Sequence, residues 1–322
     1  MKDLAEKIIS GNRRAIAKAI TLIESSRDDH QNDAQLLLNE LLPHTGNAIR
    51  LGLTGIPGVG KSTFIESFGT MLTAKGKKIA VLAVDPSSQI TGGSILGDKT
   101  RMEELARDPN AFIRPTPSKG TLGGTARYTR EAMMVLEAAG YDVIIVETVG
   151  VGQSEVAVAN MVDMFLLLLS PTAGDELQGI KRGIMELADL IIVNKADGDF
   201  INAARLAKAD VSNAVHLMRP KSENWIVDVL ECSALERKGL EDIWQKIIDF
   251  QNIMEKTGEL ASKRLVQGSS SIWSELNEQI LDDIKVNNQN LIHELEELVK
   301  KKNITARQAA NKLHSLVYKP KN

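Results

Sequence analysis

Gly55-Ile56-Pro57-Gly58-Val59-Gly60-Lys61-Ser62 satisfies G-x-x-x-x-G-K-[ST] at every constrained position. Glycines so spaced let successive backbone N–H groups turn inward around an anion, and the positive end of the following helix adds to them. The phosphate-binding set is Gly55, Pro57, Gly58, Val59, Gly60, Lys61, Ser62 and Thr63. Within it, Lys61 supplies a point charge to β- and γ-phosphates and Ser62 a hydroxyl to Mg²⁺. Ordinary residue usage gives such a match by chance in roughly one chain in a hundred of this length. The strand-like run Ile49–Thr54 before it and the apolar Phe64, Ile65 and Phe68 after it add the strand–loop–helix setting.

Asn194-Lys195-Ala196-Asp197 follows the apolar run Leu190–Val193 and reads N-K-x-D. The Asp197 carboxylate can accept two hydrogen bonds from guanine N1–H and N2–H₂. Adenine offers neither donor and would leave the carboxylate unpaired, so such a site can discriminate by roughly 10⁴. Ser233-Ala234-Leu235, after the run Ile226–Cys232, reads as a second loop whose backbone meets guanine O6, or equally as a simple turn.

Further carboxylates end other strand-like runs. Val143–Glu147 closes on Glu147, placed to hold a water of hydrated Mg²⁺ or to be a solvated strand end. Gly150 can bring a backbone N–H to the γ-phosphate, and its release on phosphate loss would free Thr148–Glu155. Lys61, Glu147 and Gly150 form the predicted catalytic set. Asp85 ends Ile79–Val84, and Asp98 closes the long, glycine-rich loop that follows. Both are predicted on the metal side with Ser62 and Glu147, a helix cap being the other reading of Asp98. In Ser170–Glu176, charges flank Gly174 and can exchange partners with Lys181-Arg182; a solvated helix start with Asp175 at its dipole fits as well.

These groups need a frame. Short apolar runs at 49–54, 79–85, 143–147, 164–170, 190–194 and 226–232 alternate with helical stretches such as Thr125–Ala139, which ends at Gly140. That pattern predicts an α/β P-loop NTPase with a mostly parallel central sheet flanked by helices. Residues 1–46 form an N-terminal helical segment, 47–256 the nucleotide-binding domain, and 257–322 a C-terminal helical extension. In the extension Trp273, Leu276 and Ile280 share one stripe and Leu291, Leu295, Leu298 and Val299 another. Thr305 with Gln308 is a capping box. These apolar faces call for docking on the same subunit or in a dimer arm.

The 322 residues carry a net charge of −3, with 25% charged and 43% hydrophobic residues. No basic field points to nucleic acid, and no apolar run approaches the roughly 20 residues of a membrane span. Met1–Ser10 lacks an apolar export core, and the single Cys232 admits no internal disulfide. Both point to the cytoplasm. The scattered histidines make no metal-ligand pair with one another or with Cys232.

The segments Asp85-Pro86-Ser87-Ser88, Thr91–Met102, Arg114-Pro115, Gly120–Gly124 and Glu147–Glu155 together resemble the MeaB/ArgK-type GTPases of the SIMIBI class, a likeness covering nearly the whole chain. The resemblance implies a homodimeric, GTP-dependent chaperone. Its partner would be an adenosylcobalamin-dependent acyl-CoA mutase, chiefly methylmalonyl-CoA mutase, whose cofactor delivery it gates and which it protects. It also implies that Asp85 and Asp98 lie in switch I, that Glu147 opens switch II, and that Asp175 and Lys181 belong to a third switch. An older description of the family as a kinase of basic amino-acid transport comes with it, without a kinase-specific feature here. Gln89 stands where the family usually has proline, which loosens the switch I backbone and removes no ligand.

The motifs contain no obvious arginine finger, so hydrolysis is expected to be slow alone and faster with a partner. Metal-insertion chaperoning would need a histidine-rich stretch or Cys/His cluster, and protein targeting a methionine-rich basic segment. The chain has neither.

Overall fold

Strands buried on both faces need apolar residues at consecutive positions, and the runs of this chain have them. The computed structural model describes residues 1–25, 27–85, 102–117, 122–148, 155–171 and 182–317. Helices α1 (Lys2–Ile9), α2 (Arg13–Ile23) and α3 (Asp28–Leu41) come first; the Asn12 side chain caps α2 by accepting from Arg14 and Ala15 N–H. There follow β1 (Ile49–Thr54), α4 (Lys61–Ala74), β2 (Ile79–Asp85), α5 (Glu103–Arg107), β3 (Ala111–Pro117), α6 (Leu122–Ala138) and β4 (Val143–Thr148). Next come α7 (Glu155–Ala159), β5 (Met164–Leu169), α8 (Arg182–Leu187), β6 (Leu190–Val193), α9 (Ile201–His216), β7 (Asp228–Glu231) and α10 (Leu240–Thr257). The chain continues through α11 (Glu259–Asn287), α12 (Gln289–Lys300) and α13 (Ala306–Val317).

The strands form one seven-stranded sheet in the order β3-β2-β4-β1-β5-β6-β7, parallel at every pairing. Alternate residues of β2 serve opposite faces, as strand pleating requires. Ala80, Leu82 and Val84 pack with α1, α2, α3 and α6, whereas Ile79 and Val81 pack with α4, α5 and α10. A further cluster joins Leu167, Leu169, Ile191 and Val193 to α9.

Two elements depart from expectation. The edge strand β3 was not among the expected runs, because Arg114, Pro115 and Pro117 interrupt its apolar character; prolines are tolerated where no further strand pairs. The run 226–232 narrows to Asp228–Glu231, with Ile226 exposed. By contrast, Gly140 takes φ +79° behind α6, the left-handed conformation its position calls for.

The chain divides into two compact units, Met1–Gln267 and Gly268–Asn322. Residues 1–46 therefore share a unit with the sheet, and the division between the units falls inside α11. Lys263, Arg264 and Gln267 of α11 hydrogen-bond to Asp163, Gly46, Ala48 and Val162 at the N-terminal ends of β1 and β5. In the second unit Leu295 and Ala309 are buried. The Thr305–Gln308 box closes reciprocally, with Gln308 N–H to Thr305 Oγ1 at 3.2 Å and Thr305 N–H to Gln308 Oε1 at 2.9 Å. Ile272, Trp273, Leu276, Leu281 and Val286 of α11 are exposed. No helix among the described residues is long and apolar enough to cross a membrane.

Candidate nucleotide site

In an open parallel sheet, loops at the C-terminal strand ends are free to hold ligands. The loop after β1 needs unusual backbone. Gly55 has φ +153°, and a Cβ there would lie 2.6 Å from Leu168 O; Gly60 has φ +96°, and a Cβ there would lie 2.7 Å from Asn194 Nδ2. Only glycine meets both demands. Val59 is buried and anchors the turn, Pro57 and Gly58 are exposed, and Lys61, Ser62 and Thr63 open α4. Lys61 Nζ donates to Gly55 O at 2.7 Å, which keeps the ammonium over the loop. The segment thus puts two positive-φ glycines, a cation and a helix N-terminus in one place, an arrangement whose chemistry suits an anion.

The loop after β6 packs directly on it. Asn194 is buried: its Nδ2 donates to Val59 O at 3.0 Å, and its Oδ1 accepts from Ala234 N–H at 3.0 Å. Lys195 takes φ +61°, a strained conformation for a residue with a side chain, and its Nζ donates to Gly58 O at 2.8 Å. Ser233 Oγ donates to the Asp197 carboxylate and accepts from Glu236 N–H at 3.0 Å. Ser233 and Ala234 are buried, while the Leu235 side chain is exposed. The structure thus brings the phosphate loop, Asn194, Lys195, Asp197 and Ser233–Leu235 together, and the lone Asp197 carboxylate is held in place by a neighbouring hydroxyl. Behind them Cys232 is buried, with its thiol pushed up to about 12 by burial and by the Asp197 charge; it is no nucleophile.

Glu147 is next to last in β4, opposite Leu53 of β1, and is buried, so it is no solvated strand end. Beside it Thr148 Oγ1 donates to Thr54 Oγ1 at 2.8 Å, tying the ends of the two central strands together. Asp85 ends β2 and pairs with Pro117, its side chain lying outside the described residues. Asp98, Gly150, Asp175 and Lys181 also fall outside the described residues.

Three residues escaped sequence reasoning. Glu66 of α4 accepts the N–H groups of Glu104 at 2.7 Å and Leu105 at 3.3 Å, capping α5, whose own N-cap Met102 makes no side-chain cap. Its neighbour Ser67 donates to Ala234 O at 2.6 Å, and Arg237 pairs with Glu104 at 2.5 Å. Their partners lie 38, 167 and 133 residues away, so no local spacing signals them.

Over residues 16–289 the chain matches the family model described as methylmalonyl-CoA mutase-associated GTPase MeaB. It is 49% identical to the GTPase ArgK of Escherichia coli, over 89% of this chain and 87% of that one. It is 50% identical to the mitochondrial methylmalonic aciduria type A homolog of Mus musculus, over 86% of this chain and 69% of that protein. A crystal structure named for an LAO/AO transport system kinase superposes with a TM-score of 0.76 at 39% identity, covering 98% of this chain and 97% of that one.

Proposed function

Since the chain belongs to the MeaB family of methylmalonyl-CoA mutase-associated GTPases, we propose that its GTP hydrolysis serves an adenosylcobalamin-dependent acyl-CoA mutase, gating delivery of the cofactor and protecting the mutase. The observation that carries the nucleotide half of this reading is the contact between the phosphate loop and the N-K-x-D loop through Asn194, Val59, Lys195 and Gly58. Phosphate and base recognition are parts of one packed surface.

In this reading the amides of Gly55–Thr63 and Lys61 hold the β- and γ-phosphates and stabilise charge on the transferring phosphoryl group. The Asp197 carboxylate accepts from guanine N1–H and N2–H₂, Asn194 and Lys195 frame the base, and the Ser233–Leu235 backbone meets O6. Ser62 and Glu147 are hard oxygen donors at the ends of α4 and β4, and β4 neighbours β1 in register. Mg²⁺ keeps waters and takes phosphate oxygens, so few protein donors are needed, and Asp85 and Asp98 complete the proposed set. A Mg²⁺ held by these donors would supply charge neutralisation to the phosphates. Gly150, Asp175 and Lys181 are the proposed reporters of the γ-phosphate to the mutase.

The nucleotide motifs hold no arginine to meet γ-phosphate charge. Hydrolysis is therefore slow alone and accelerates with the mutase. The exposed apolar residues of α11 support a homodimer through the C-terminal helices, and the lone buried thiol suits a cytoplasmic protein.

The decisive experiment is a pull-down with cobalamin-dependent mutases in GDP and in a non-hydrolysable GTP analogue. Capture in one state and not the other is the expected result; equal capture in both removes the switch. A second reading, suggested by the name of the solved relative, is phosphotransfer coupled to basic amino-acid transport. Radiolabelled γ-phosphate appearing on protein instead of in solution would select it.

A further inference from the structure

Ser67 faces inward from the second turn of α4 and is 5% exposed. Its hydroxyl serves no turn of its own helix. It reaches 2.6 Å to the carbonyl of Ala234, itself 1% exposed, across 167 residues of chain. Other bonds fix the rest of that loop: Ser233 Oγ with Asp197 and Glu236, Ala234 N–H with Asn194 Oδ1, and the antiparallel bridge of Ser233 with Lys238. The Leu235 side chain is 76% exposed and anchors nothing.

A trans peptide unit is planar, with its C=O and N–H on opposite sides. Drawing the Ala234 carbonyl toward α4 therefore turns the Leu235 N–H away from α4. The geometry points to Ser67 as a specificity-determining positioning residue. It aims the Leu235 amide at the oxygen on purine carbon 6, using the helix that begins at Lys61 as the fixed reference. The inference rests on the guanine-nucleotide reading above and names a residue that touches neither base nor phosphate. A merely structural hydroxyl would, on removal, weaken all nucleotides alike. A positioning hydroxyl costs only the contact at carbon 6.

Calorimetric titrations of the full chain with GDP, 6-thio-GDP and ADP, each with Mg²⁺, separate the two. Sulfur is a poor acceptor, so 6-thio-GDP already lacks most of the contact. In Ser67→Ala, GDP should weaken about tenfold while 6-thio-GDP and ADP stay within about twofold of the parent. Ser67→Thr keeps the hydroxyl and should restore the preference for GDP over 6-thio-GDP. Ser67→Cys, near in size and a weak donor, should fall between, and it carries the test if the alanine variant is insoluble. Equal weakening of GDP and 6-thio-GDP, or no weakening of GDP in either variant, overturns the inference. A parent chain that fails to prefer GDP over ADP overturns the guanine reading instead, and is visible in the same titrations.

Discussion

The two ends of the sheet are built on different principles. At the C-terminal strand ends the proposed nucleotide groups are a glycine loop, two lysines bonded to it and a carboxylate steadied by a hydroxyl. At the N-terminal ends buried carboxylates are each met by half-buried or exposed cations. Arg50 makes a two-pronged bridge to Glu137 at 2.7 and 2.9 Å, and Glu137 also accepts Gly46 N–H. Arg264 grips both oxygens of Asp163 at 2.8 and 2.7 Å, a bond that raises its affinity for its proton. Lys263 and Lys221 converge on Asp189, and burial pulls the Lys263 ammonium below its usual range. The upper end gathers loops that a ligand can reach, whereas the lower end sets these charged donors against carboxylates of the protein itself. Substitutions should therefore separate function from stability according to the end they strike.

The largest effect is expected below. Asp163→Ala takes the buried carboxylate from the half-buried Arg264 and from Arg50 N–H and should cost about 3 kcal/mol in chemical unfolding, the low end for breaking a buried pair, with the folded fraction still binding GDP. If nucleotide affinity falls as steeply as stability, the two ends are not separable. The mirror change, Lys61→Ala, should lower GTP turnover by about 10²–10³-fold with an unfolding midpoint close to the parent. Asp197→Asn comes next: an amide presents a donor where guanine N1–H and N2–H₂ also donate. GTP affinity should drop by about a hundredfold and xanthine nucleotide should gain, as competition titration would register.

The smallest effect sharpens the boundary between the ends. The Cys232 thiol is raised to about 12 in the folded chain, whereas unfolded it ionises near 8.5. The folded state keeps the proton that the unfolded state loses. Stability is therefore unaffected below pH 8 and falls above it, by up to about 1.4 kcal/mol per pH unit until pH 12. Cys232→Ala should flatten that alkaline decline in unfolding midpoints measured from pH 8 to 10; an unchanged slope would mean the thiol is not the group responsible.

The same contrast explains what the amino-acid order could tell. Gly55–Ser62 and Asn194–Asp197 are legible because each packs its chemistry into a few consecutive residues, and apolar runs announce the central strands. The Arg50–Glu137 and Arg264–Asp163 pairs join residues 87 and 101 apart, and each looks alone like an ordinary surface charge. Ser67 and Glu66 read as helix filler until Ala234 and Glu104 arrive beside them. Strand β3 was hidden by its own prolines. For residues 1–46 helical periodicity shows an apolar face without saying which surface will cover it.

Those prolines have an outcome for the chain in a crowded solution. An exposed sheet margin is a template on which another molecule can add a strand and start a fibre. Pro115 and Pro117 carry no N–H to offer such a newcomer, and the opposite margin, β7, is only four residues long. A strand arriving at either margin therefore finds few backbone donors to pair with.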